Sequence, residues 1–138
     1  VIRDVFARFN RFVFHDQVRL IEILSILCLV GYWQQFSANP EILERSSYAG
    51  FHFMSAGGWA AVTGFGALLH TLVLIIRWRF QDEARILMMA LACGFWVMVT
   101  LSFASIGLSS TAIKTYSAIA ILCFISGVFL AWTTSSRH

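Results

Sequence analysis

At 138 residues, 59% of them hydrophobic and only 12% charged, the chain carries about half the Asp, Glu, Lys and Arg of a soluble domain, in which the share is about 25%. A globule of this length has no interior large enough for the uncharged runs 51–76, 86–113 and 115–136, so a water-soluble fold is excluded and a membrane domain expected. The net charge of +3 does not point to nucleic acid, because the arginines flank apolar segments, where they meet lipid phosphates.

Residues 1–15 have helical periodicity. Ile2, Val5, Phe6, Phe9, Phe12 and Val13 fall on one arc, with Arg3, Asp4, Arg8, Arg11 and His15 opposite. An arginine face backed by phenylalanines suits a helix lying in the headgroup region, with Arg3, Phe6, Arg8, Phe9 and Arg11 at the lipid interface. Asp16 can cap the next helix, whose apolar run extends from Leu20 to Phe36. Arg19 and Glu22, three residues apart, are expected to pair on one face of it. Tyr32, Trp33, Gln34 and Gln35 mark the opposite interface. No cleavable signal peptide is expected, since the apolar run follows a long charged segment and no small-residue cleavage site closes it.

A polar loop over 37–50 holds Pro40, the chain's one proline, with Glu41 and Glu44 able to open a short helix. A second membrane helix is expected over 51–76, longer than the hydrocarbon requires and so tilted. A polar hairpin at 81–85 leads into the third helix from Ile86 to about Gly107, and a loop at 109–111 leads into the fourth. The expectation is thus an all-α integral membrane protein with a single domain over 1–138. It is a four-transmembrane-helix bundle (about 18–36, 51–76, 86–107 and 112–133) preceded by an N-terminal amphipathic interfacial helix (1–15).

Basic residues orient it. Arg3, Arg8, Arg11, Arg19, Arg77, Arg79, Arg85 and Arg137 fall on one side of such a bundle, against Arg45 and Lys114 on the other. Eight against two is a strong positive-inside bias. It predicts that both termini are cytoplasmic; the membrane expected for the chain is a bacterial inner membrane.

The second helix carries the sequence features closest to a site. Gly57, Ala60, Gly64 and Ala67 form a small-residue stripe for helix packing, within the chain or between copies. Beside it His52, Trp59, Thr63, Gly66 and His70 recur at near-whole turns, a candidate polar or pore face. An ionisable group inside a membrane helix is a functional hypothesis by default, and His70 is the one deepest in the segment. His52 and His70 would be about 27 Å apart along one helix, too far to ligate one haem iron. No carboxylate or proline-broken helix marks the midplane, as an ion-coupled transporter would have. Cys28, Cys93 and Cys123 stand singly, with neither metal spacing nor a disulfide framework, and read as small buried hydrophobes. No cofactor, no metal and no catalytic constellation is indicated, so an enzyme is not expected.

The layout of Asn39-Pro40 before a Trp59/His70 helix, of Arg77 and Arg85 bracketing a hairpin, and of Trp96, Thr111, Tyr116 and Trp132 beyond resembles the small polytopic membrane proteins of tailed phages, some of them holins. Many holins have fewer helices and a charged C-terminal tail, where this sequence has Ser135, Ser136, Arg137 and His138. The resemblance implies a non-enzymatic oligomer of holin or channel type, whose partners are the lipid bilayer and further copies of itself. The alternative is a structural or anchoring subunit of a larger respiratory or transport complex in the membrane. A small transporter or a haem-binding subunit ranks below both.

Overall fold

The three long uncharged runs hold no proline or charged residue to break a helix in lipid, and each contains most of one long helix. The computed structural model describes residues 18–107 and 111–135, and among these the secondary structure is entirely helical. Helix α1 spans Arg19–Ala38, α2 Ala56–Ile75, α3 Gln81–Ala104 and α4 Thr111–Ser135, with two 3₁₀ turns, Pro40–Glu44 and Ser46–Phe51, between α1 and α2. All four long helices are long and apolar enough to cross a membrane. The expected amphipathic helix over 1–15, with Arg3, Phe6, Arg8, Phe9 and Arg11, and the cap at Asp16 lie outside the described residues.

The helix expected over 51–76 is shorter than its uncharged run. Ser55 sits in extended backbone (φ −68°, ψ 159°) and its side chain accepts a hydrogen bond from the Gly58 N–H at 3.1 Å. That N-cap starts α2 at Ala56 and leaves residues 51–55 to a turn. The third helix starts earlier than Ile86, because the polar 81–85 segment supplies its first turn. Asp82 and Glu83 stand there, where carboxylates favour the positive helix end.

The helices associate as two close hairpins, α1 with α2 and α3 with α4, while the α2–α3 and α1–α4 seams are thinner. Large side chains fill the space between hairpins. Trp59, Trp96, Phe36, Phe51 and Met89 are among the fully buried ones. Toward the 3₁₀ turns the filling is aromatic: Trp96 stacks on Tyr116 (5.5 Å, 2°), Tyr116 on Phe103 (5.7 Å, 8°), and Phe36 on Trp59 (5.9 Å, 22°). Gly50 lets the second 3₁₀ turn lie directly on α3. A β-carbon there would overlap the Ser102 carbonyl, which already accepts from the Ser105 hydroxyl at 2.8 Å. The bundle's outside is apolar, with Leu27, Phe65, Leu101, Phe124 and Trp132 among its exposed side chains.

Candidate functional site: a buried polar layer

Every inward position of α1 follows a three-four spacing: Glu22, Ser25, Leu29, Tyr32 and Phe36 are its buried residues. Two of the first three turns therefore point a polar group at the core. Glu22 is 0% exposed and meets Arg85 of α3, itself only 5% exposed. The guanidinium forks onto the carboxylate, Nε to Oε1 at 2.9 Å and Nη2 to Oε2 at 2.7 Å. Bidentate geometry gives the strongest charge-assisted hydrogen bonding available to a carboxylate. The expected local pairing of Glu22 with Arg19 is not the one formed, because α1 turns Glu22 inward, toward α3.

One turn further in, the Ser25 hydroxyl accepts from the Trp96 indole N–H at 3.0 Å. Cys123 of α4 lies beside the same hydroxyl. His70 of α2 completes the layer. It is 0% exposed, neither ring nitrogen has a hydrogen-bond partner, and Arg85 is near enough to act on it electrostatically. A buried polar atom without a partner costs stability, which makes His70 the least structurally explained side chain of the core.

The candidate polar or pore face is divided by the fold. Trp59, Thr63 and His70 are all fully buried along the inward side of α2. The Trp59 indole donates to the Phe51 carbonyl at 3.0 Å and the Thr63 hydroxyl to the Trp59 carbonyl at 2.8 Å. His52 is not on that helix at all. It lies exposed in the turn before α2, where its Nε2 is hydrogen-bonded to the Leu43 carbonyl. The seven-residue spacing from His52 to Trp59 loses its meaning once α2 begins at Ala56.

The small-residue stripe is divided too. Ala67 is buried, Ala60 and Gly64 are half-buried, and Gly57 is exposed with nothing within 4 Å of the place a β-carbon would take. At Gly64 a β-carbon would stand 2.7 Å from Trp33 Cδ1 of α1. The middle of the stripe therefore seats α1 of the same chain. Gly64→Leu should overfill this seam and destabilise the folded monomer by about 1–3 kcal/mol, without changing self-association. Thermal unfolding in detergent, run beside light scattering, checks this; an unchanged melting temperature with a smaller oligomer would put the contact between copies.

Sequence reasoning missed the Glu22–Arg85 pair, whose members are 63 residues apart. The one available signal was polar residues in period, Glu22 and Ser25, on an otherwise apolar helix. Cys28, Cys93 and Cys123 all remain free thiols. Among the described residues no three His, Cys, Asp or Glu side chains converge as metal ligands. Compared with known proteins, the chain matches no family model, no curated protein and no solved structure.

Proposed function

We propose that this protein is a non-enzymatic integral membrane subunit, a four-helix bundle that anchors or braces a larger assembly in a bacterial inner membrane. The observation that carries the reading is the direction of its polar groups. Within the spans, Glu22, Arg85 and His70 are all buried, and the apolar outside offers its neighbours lipid-like contacts along its length. A channel formed between copies needs a polar face turned outward, and the face of α2 that would have served is engaged inside its own bundle. Ionisable groups held within a membrane bundle instead specify how its helices meet.

The second reading, a holin-like oligomer, is favoured by Gly57 and Ala61. Both are exposed on α2 one turn apart, so another copy could approach the helix closely there. Reconstitution into vesicles separates the two. The anchoring reading expects a monomer, and no dye release across a wide range of protein-to-lipid ratios. Cooperative release with rising protein density would favour the oligomer.

Both readings share one topology. The eight-to-two distribution of basic residues puts the termini in the cytoplasm. With the native cysteines replaced, single cysteines at positions 45 and 114 should react with an impermeant maleimide added outside intact cells. One at position 79 should react only after permeabilisation. Labelling in the reverse sense would overturn the orientation.

A further inference from the structure

An open groove of about 360 Å³ runs along the seam of α1 and α2, lined by Val30 and Trp33 of α1 and by Gly64, Ala67, Leu68 and Thr71 of α2. Its one hydroxyl, on Thr71, donates to the Ala67 carbonyl at 2.7 Å, so the lining offers a ligand hydrocarbon and the Trp33 ring. Toward the α2–α3 loop the groove continues past exposed Ile75, which is about two turns beyond Leu68 on the same face. On α1, Arg19 precedes Val30 by about three turns, again on one face. The close approach of Trp33 to Gly64 sets the register of these antiparallel helices. About 21 Å from that contact, by helical rise, α1 reaches Arg19 and the α2 chain reaches Trp78, so Arg19 and the loop share one end of the groove. Thr71 and Ala67 lie about 9 and 15 Å below Arg77, within the roughly 15 Å of hydrocarbon in one leaflet.

The loop after α2 brings positive charge to that end. Arg77, Trp78, Arg79 and Phe80 are all exposed, and the chain is held there by Gln81, whose amide donates to the Val73 and Leu74 carbonyls at 3.2 and 3.4 Å. Carbonyls at a helix C-terminus often take an arginine; with Gln81 on them, Arg77 and Arg79 are left to other partners. Neither pairs with a carboxylate among the described residues, and the Arg79 guanidinium lies 5.3 Å from the Phe80 ring centroid. Glu22 and Arg85 neutralise each other, so among the described residues Arg19, Arg77 and Arg79 stand against Asp82 and Glu83 at this end, three charges against two. The excess of one positive charge matches a head group with one negative charge, and a zwitterionic one would leave it unbalanced.

We infer that the α1–α2 seam binds one anionic phospholipid. Arg77 and Arg79 donate to its phosphate, Trp78 and Phe80 lie at the level of its glycerol, and one acyl chain follows Ile75 into the groove. A diacyl lipid fits both the apolar groove and the basic rim, where a soluble phosphate would use the rim alone. The inference needs only that α1 and α2 lie in a bilayer, so it and the anchoring role stand or fall separately.

The test is native mass spectrometry of the full chain, released from detergent micelles that contain equal amounts of dioleoyl phosphatidylglycerol, phosphatidylcholine and phosphatidylethanolamine. Wild type should retain one phosphatidylglycerol in preference to either of the others. The double variant Arg77→Gln/Arg79→Gln should lower that affinity by about thirtyfold, about fivefold for each arginine near an anionic head group. Thr71→Phe and Leu68→Trp, which add bulk in the groove and leave the rim intact, should each reduce retention, and circular dichroism confirms that the variants fold. Arg45→Gln/Lys114→Gln, at the other end of the bundle, and Arg3→Gln/Arg8→Gln/Arg11→Gln should retain the lipid as wild type does. Equal retention of phosphatidylcholine would overturn the inference. So would a preference for phosphatidylethanolamine, which would assign the rim to a zwitterion whose ammonium meets Glu83. A loss in the Arg3/Arg8/Arg11 variant as large as in the loop variant, or unchanged retention in both groove variants, would overturn it as well.

Discussion

Glu22→Leu should destabilise the bundle by about 3–5 kcal/mol, the usual cost of removing one member of a buried ion pair. Glu22 is fully buried and both its oxygens accept from Arg85, at 2.9 and 2.7 Å. The substitution leaves the guanidinium charged in a core that no longer contains the carboxylate it forks onto. Adding Arg85→Met to the same chain should restore much of the loss, because an apolar pair needs no desolvated charge. Denaturation by sodium dodecyl sulfate from mixed micelles, followed by circular dichroism, measures both. Additive losses in the double variant would mean that the two side chains contribute independently and that the pair does not organise the layer.

Trp59→Ala should cost a similar amount, about 3–5 kcal/mol, the range for truncating a large buried aromatic. Between helices in lipid the loss is chiefly dispersion contact. Trp59 has ring contacts with Phe36, Phe51, Phe53 and Phe95, at centroid distances of 5.9, 5.3, 5.1 and 6.4 Å. Its indole N–H also fastens the second 3₁₀ turn through the Phe51 carbonyl at 3.0 Å. Trp59→Phe separates these contributions. It keeps most of the ring contact and removes the hydrogen bond, and its cost should be nearer 1 kcal/mol, because the Met54 N–H still reaches the same carbonyl at 3.4 Å. If the phenylalanine variant were as unstable as the alanine one, the hydrogen bond rather than the ring packing would hold the turn.

The start of α2 illustrates how an apolar run misleads. From Phe51 onward nothing in hydropathy separates a helix from an apolar turn, and the expected boundary followed the charge pattern. What moves it is Ser55, a capping residue ahead of two glycines, together with Phe51, whose burial against Trp59 holds the turn back from the helix. His52 was drawn into the candidate site by that boundary alone. Trp59, Thr63 and His70, by contrast, are all buried along α2, since their spacing depends only on helical pitch.

Four apolar helices, their order, and the common face of Trp59, Thr63 and His70 were determined by the sequence alone, because each depends on neighbours a few residues apart and on the free energy of exposing apolar surface. The tertiary structure decided which way each face turned. Local spacing offers Glu22 a partner three residues away in Arg19, and helix association brings it Arg85 instead, because the inward arc of α1 carries Glu22 to α3. In the same way the small-residue stripe of α2 could have seated any helix. Gly64 receives Trp33 of α1 since the hairpin joining them holds that helix close, and a connection of this kind has no counterpart in periodicity.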